Sequence, residues 1–487
     1  MTSTPALRPL LATEVTLHRR HGVVVTTVVM TAVWMAVLTV LPAPVRVAAV
    51  PWLLLVDLAT LGFFFVPALA VVERSNGVTA ALRLTRLSPA TALSVRLGTL
   101  AASALFAGTA VVLAAGLGWA PGILAGAVLT SLLVSLVAVL MVGRATTLTA
   151  YVSRAPAVAI PLIAPALVRG TGLWDGAVLA LSPMTGAFDL LAGRWSWTTA
   201  LWICVWLAGL WVAAVRVGFD TRPADQPVVA RPNRSTLRAS SGYSHRSAIR
   251  SFARVDRRTL LDDRLLLLLL AGVPLIAGAV RWFNGPGLTW VHTRYGLDLT
   301  EHLPLVWAFV LVVHTPTMFG AVTGLLFLED RDAGLLPAIT TTRPSLPVLL
   351  AYRLATTALI TGAMVAIALP LAGAHHPLGT AGTIATSLAA AAVSTVPAML
   401  LATLAHDRVQ GMALMKAISL PLYLPLAWWF IDHPAGWLLA AVPTAWAART
   451  FWADTTGTLL GSASSAFAMS LALIAALAWK LRRSPIT

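Results

Sequence analysis

The chain has 487 residues, 58% of them hydrophobic and only 11% charged, with a mean hydropathy of +0.84 and a formal net charge of +16. Soluble domains carry about a quarter of their residues as charges, so this composition excludes a water-soluble globular protein. Runs of alternating polar and apolar residues are missing as well, which leaves spanning helices rather than a membrane barrel.

The first predicted element is a short amphipathic helix in ALRPLLATEVTLHRRHG, where Leu7, Leu10 and Leu11 share a face. Such a helix suits the headgroup plane, or else forms a solvated collar of positive charge. Arg8, Arg19 and Arg20 then precede an apolar run that resembles a signal peptide. That run exceeds the usual apolar core of a leader and further spans follow it, so it reads as a first span that stays attached.

A hydrocarbon core of about 30 Å needs about 20 helical residues. On that measure about twelve spans follow in order, near 23–41, 51–72, 97–118, 122–143, 155–175, 198–218, 265–281, 304–328, 354–373, 380–405, 412–430 and 457–479. Prolines interrupt the fifth and the eleventh. The expected fold is therefore an all-α polytopic membrane protein built as two parallel six-helix repeats. A first half over 1–220 joins a second over 251–487 through a cytoplasmic linker, 221–250, rich in Pro, Ser and Arg.

An internal repeat carries this division. Adding 257 maps Arg74 to Arg331, Gly77 to Gly334, Thr85 to Thr342, Arg86 to Arg343, Arg96 to Arg353 and Thr99 to Thr356 without a gap, and takes the acidic Glu73 to Asp330. Upstream, Arg8 and Glu14 correspond to Arg250 and Asp256 at an offset of 242. The second copy therefore holds 15 extra residues, which fit the polar stretch FNGPGLTWVHTRYGLDLTEHLP between its first two spans.

The placement of charge decides what +16 means. With both termini inside, 28 of the 34 Lys and Arg residues fall on the cytoplasmic side, leaving Arg46, Arg169, Arg194, Arg281, Arg294 and Arg449 outside. Most of the 18 Trp lie in or beside spans rather than among the basic residues, so nucleic acid is not the expected partner. One cysteine, Cys204, permits neither an internal disulfide nor a thiolate metal site. His375 and His376 read as an isolated, solvated external dipeptide, and no metal site is expected.

Between spans two and three of each copy the apolar pattern breaks for ERSNGVTAAL, from Glu73, and EDRDAGLLPAI, from Glu329. Each reads as a helix end, a small-residue turn and a short helix, with Pro89 and Pro344 marking the next turn. Shared ancestry of two plain loops would leave such a repeat, and so would a shared contact. Here the chain resembles the permeases of type-2 ATP-binding-cassette exporters, whose six-span halves start with an elbow helix and carry an acid-Arg-(acid)-x-Gly loop leading into a coupling helix. The nearest subgroup is the bacterial drug and antibiotic export permeases, including those proposed to export fluoroquinolones. The resemblance implies that Glu73, Arg74, Gly77 and Arg86, with Glu329, Asp330, Arg331, Gly334 and Arg343, couple to a separate ATPase subunit, two copies per chain. The first copy lacks the second acid and the second carries Pro337, which leaves equal use of the two loops open. A fainter echo joins SPMTGAFDLLAGRW, from Ser182, to VPTAWAARTFW, from Val442, as re-entrant external helices.

No GxxxxGK[ST] phosphate loop is present, so this chain is not expected to be an enzyme; ATP and Mg are expected in the partner. Ionisable groups within spans are costly and mark function by default. Asp57 and its counterpart His314 either face a small-molecule pathway or sit hydrated near the outer interface. Two rival classes remain at this point. Twelve spans in parallel halves also suit a proton-coupled secondary transporter, and the Asp298, Glu301 and His302 cluster would suit a lipid-linked glycosyltransferase. The expected residence is the inner, or plasma, membrane in contact with lipid.

Overall fold

A computed structural model describes residues 7–41, 43–75, 88–143, 148–217, 264–296, 298–332, 346–431 and 434–483. Helices fill these stretches and no strand occurs among the described residues, as a bilayer demands of chains whose backbone polar groups must pair internally. Among the described residues ten helices are long and apolar enough to cross a membrane, or eleven if a bent helix pair near the start counts as one span. The chain divides into two compact units, Met1–Arg238 and Ala239–Thr487. The linker 221–250 lies outside the described residues.

The first unit opens with α1 (Leu7–Arg20) and α2 (Val23–Val40), which bend by 63° against each other. Gly22 makes the bend, with φ of 74°, a left-handed value that costs glycine nothing. Leu11 and Val15 on α1 are exposed, as a lipid-facing surface would be, whereas Glu14, His18 and His21 are buried. The elbow helix thus turns a polar face inward.

Next comes a long second span, α3 (Ala43–Thr60) and α4 (Val66–Ser75), joined by a π-helical stretch, Leu61–Phe65. A π turn spoils the regular bonding ladder. The Phe63 carbonyl accepts a 2.8 Å hydrogen bond from the buried hydroxyl of Tyr151. The unit continues with α5 (Pro89–Ala114), α6 (Pro121–Gly143), α7 (Leu148–Thr171), the short α8 (Pro183–Leu191) and α9 (Trp197–Val217). Ser88 caps α5 through the Thr91 amide, with Pro89 at the first helical position. Of the expected spans, 155–175 is the one outside the set of ten and the bent pair. Its helix, α7, has the length, but three internal prolines and two arginines, Arg154 and Arg169, lower its apolar character.

The second unit holds α10 (Arg264–Trp282), α11 (Leu288–Tyr295), α12 (Leu303–Trp307), α13 (Thr315–Asp332), α14 (Leu346–Leu371), α15 (Gly379–Leu404), α16 (Arg408–Tyr423), the short α17 (Pro443–Phe451) and α18 (Thr456–Arg483). Its second span again contains a π stretch, Ala308–His314, between α12 and α13. Here Thr315 supplies the compensating bond, its hydroxyl donating to Val310 five residues back.

Small residues bring α13 against α15. A Cβ on Gly320 would lie 2.0 Å from the Ser394 carbonyl oxygen, and one on Gly324 would meet Leu401 at 2.7 Å. The G-x-x-x-G spacing lets two backbones approach where lipid offers no hydrophobic drive for helix pairing.

Candidate functional site

In the first unit a single guanidinium gathers three elements. Arg96, near the start of α5, donates from Nη2 to Glu14 Oε1 at 2.9 Å and from Nε to the same oxygen at 3.2 Å. Its Nη2 also bonds Glu73 Oε1 at the end of α4. All three side chains are largely buried. Removing charges from water costs several kcal/mol per ion, recovered only when geometry and extra hydrogen bonds are good, and here two carboxylates share one rigid donor fork. His18 lies one turn beyond Glu14 and is 3% exposed, with no partner for its Nε2 among the described residues. Burial, and then the charge of Arg96, push its pKa down to about 4, so the imidazole is neutral near pH 7.

A related arrangement stands in the second unit. Arg353, on α14, pairs with Asp330 at 2.5 Å near the end of α13. Arg408, at the start of α16, bridges Glu329 at 3.4 Å and Asp332 at 3.0 Å. Arg331 Nη1 donates to the Ala405 carbonyl at 2.8 Å. The C-terminal end of α13 is thereby tied to α14 and to the turn before α16.

Of the residues singled out by sequence, Glu73, Glu329, Asp330 and Arg331 thus take part in these ion pairs and hydrogen bonds. Arg74 ends up on α4, but its side chain is outside the described residues, as are Gly77, Arg86, Gly334 and Arg343. Sequence reasoning passed over Glu14, Arg96, Arg353 and Arg408 as site residues. Arg96 and Arg353 were within reach, since they match each other at the same offset as Glu73 and Asp330. Glu14 was marked by its match to Asp256 at the offset of 242, whereas nothing marks Arg408.

Within the spans, Asp57 is 2% exposed and lies one turn before the π stretch of the first unit. Its counterpart His314 ends the π stretch of the second unit and shares a 2.8 Å hydrogen bond with the Tyr423 hydroxyl. Neither is a freely hydrated surface group.

His376 corrects an expectation. It is buried rather than solvated: Nε2 bonds the Thr450 carbonyl at 2.9 Å, and Nδ1 accepts from the Leu378 amide at 3.0 Å. The ring braces a turn against α17. Among the described residues no group of three His, Cys, Asp or Glu side chains is placed to hold a metal.

The two short helices α8 and α17 both begin with proline and lie almost wholly buried. Aligning Pro183 with Pro443 sets Asp189 against Arg449, so one position carries opposite charges in the two copies. Asp189 is neutralised by Arg194 at 2.6 Å and Arg169 at 3.6 Å. Arg449 instead lies over indole rings, 4.3 Å from the centre of Trp428 and 5.3 Å from that of Trp437.

Two helical units rich in apolar spans, with buried ion pairs at the helix ends that flank the matched loops, define an all-α polytopic membrane protein. The family described as Fluoroquinolones export permease protein Rv2686c-like matches residues 256–481. Fluoroquinolones export permease protein Rv2687c of Mycobacterium tuberculosis (strain ATCC 25618 / H37Rv) is 35% identical over 194 residues, which cover 38% of this chain and 79% of that relative. Fluoroquinolones export permease protein Rv2686c of the same strain is 29% identical over 223 residues, 44% of this chain and 86% of the relative. The chain belongs to the fluoroquinolones export permease protein family, and each of these relatives is about half its length.

Proposed function

We propose that the chain is the membrane-spanning subunit of an ATP-driven exporter that moves amphiphilic drugs of the fluoroquinolone class out of the cell. It sits in the plasma membrane with both termini in the cytoplasm, as the excess of Lys and Arg on one side favours. Two copies of a separate ATPase subunit, which hold ATP and Mg, dock on the loops that follow Glu73 and Glu329. This chain supplies no ATPase site of its own. Glu73, Arg74, Gly77 and Arg86 serve one docking loop; Glu329, Asp330, Arg331, Gly334 and Arg343 serve the other.

The observation that carries the reading is the repeated ion pair, Glu73 with Arg96 and Asp330 with Arg353, fixing the second-span end where each loop departs. A buried charged pair resists bending, so a push delivered at the loop reaches spans two and three together. In the first unit Arg96 also recruits the elbow helix through Glu14. The relatives' names support drug export, and the loop pattern resembles that of ATP-coupled permeases.

The test is co-purification with a candidate ATPase, followed by drug-stimulated hydrolysis and transport in proteoliposomes. Glu73→Gln and Asp330→Asn are expected to leave ATP hydrolysis standing while transport falls at least fivefold. Transport that persists without any ATPase would sink the reading. A proton-driven carrier is the second reading, favoured by the buried Asp57 inside a span. It requires uptake that survives ATP depletion and stops when the proton gradient is collapsed.

A further inference from the structure

In the second unit the stretch between α16 and α18 builds an aromatic pocket. Trp428, Trp429, Trp446, Trp452, Arg449 and Asp454 line a cavity of about 410 Å³, within the range that holds a drug-sized molecule. The walls are fixed before anything binds. Trp446 Nε1 donates to the Ala440 carbonyl at 2.9 Å, Trp452 Nε1 to the Pro304 carbonyl at 3.2 Å, and Trp429 Nε1 to His302 Nδ1 at 3.3 Å. Trp428 and Trp437 meet edge to face at 5.3 Å, and Trp429 meets Trp452 at 5.1 Å. His302 and Pro304 belong to the polar stretch that lengthens the second copy, so the insertion itself braces two of the indoles.

Against these walls lies a cation without an acid. Arg449 makes no ion pair and no hydrogen bond among the described residues, and its guanidinium lies over two indole faces. Stacking on aromatic rings holds the planar group by its faces and leaves the in-plane N–H donors available. Those donors match a planar oxyanion such as a carboxylate, for which the fork is well shaped, as it also is for phosphate. Asp454, also in the lining, is exposed and makes no ion pair among the described residues. The first-unit residue that matches Arg449, Asp189, has its charge satisfied internally by two arginines.

We propose that this pocket, on the face that the charge distribution assigns to the outside, binds a planar aromatic carboxylate bearing a cationic amine. The carboxylate takes the Arg449 fork, the ring lies against the indoles, and the amine turns toward Asp454. This assignment rests on the export reading for its substrate class and places a station for that substrate at the outer end of the second unit.

The test measures binding to the full chain in phosphatidylcholine nanodiscs by equilibrium dialysis, with norfloxacin and its decarboxylated analogue as probes. Wild type is expected to bind norfloxacin at one saturable site and the decarboxylated analogue at least tenfold more weakly. Arg449→Gln should bind norfloxacin about as weakly as wild type binds the analogue, and Arg449→Lys should fall between. Equal wild-type affinity for the two probes overturns the proposal without any variant, and so does an Arg449→Gln affinity within twofold of wild type. If Arg449→Gln does not fold, the wild-type comparison and Arg449→Lys still decide. A pocket filled by anionic lipid instead would show as phosphatidylglycerol binding that needs Arg449 while norfloxacin binding does not, and this too overturns it. ATP-driven norfloxacin transport alongside unchanged Arg449→Gln binding refutes the pocket alone; absence of ATP-driven transport for every drug refutes the export reading, and the probe comparison still judges the pocket.

Discussion

Arg353 closes on Asp330 at 2.5 Å, and 257 residues earlier in the chain Arg96 closes on Glu73. In both units the last acidic turn of span two is thus bound to the opening of span three. Arg96 carries the heavier duty, since it also holds Glu14 from the elbow helix.

Removing that guanidinium strands two partly buried carboxylates. Arg96→Ala is expected to lower stability by about 3 kcal/mol, in line with the cost of breaking a buried pair from one side. Arg96→Lys keeps the charge but loses the fork, and should recover only part of the loss. Chemical unfolding in a mild detergent, compared across the three proteins, checks the order.

His18 gives the elbow a pH dependence of definite sign. Its pKa falls from 6.5 to about 4 on folding, so between those values the unfolded chain binds more protons. The stability is therefore complete above pH 6.5 and drains away as pH falls towards 4, by about 3 kcal/mol over the window. His18→Gln should flatten that portion of the stability curve between pH 7 and pH 5. An unchanged slope in the variant would remove His18 from the account.

Gly320 tolerates no side chain. Gly320→Val drives a branched carbon into the Ser394 carbonyl and should abolish stable folding of the second unit, with loss of monodisperse protein on size exclusion. Gly98→Ala is the matched control, because a Cβ there meets nothing within 4 Å. It should stabilise slightly, by up to about 1 kcal/mol from helix propensity.

His376→Ala leaves the Thr450 carbonyl and the Leu378 amide without their ring partner and should cost about 2 kcal/mol. Zinc added to the wild-type protein should leave its melting temperature where it was. A zinc-dependent rise would mean that the ring binds metal instead of bracing the turn.

Much of this fold was written in hydropathy, because a bilayer forces each span to be apolar along about 20 residues and helical throughout. The repeat offset went further and paired Glu73 with Asp330 and Arg96 with Arg353 before any packing was known. Hydropathy does not say which faces of two helices meet. Glu14 reaches Arg96 from 82 residues away and Arg408 reaches Glu329 from 79, and such contacts follow from helix packing rather than local pattern. His376 was misread for a related reason. Two adjacent histidines in a polar turn look solvated until a neighbouring helix supplies a carbonyl for one of them. The indole pocket was hidden too, since two of its indoles are braced by the distant inserted stretch.

The sign reversal between Asp189 and Arg449 makes the halves unlike at a matched address. A twin of the leading half would offer no unclaimed guanidinium there; a twin of the trailing half would offer a pair. Covalent fusion of dissimilar siblings settles the tally at one per molecule, whatever the supply of either half.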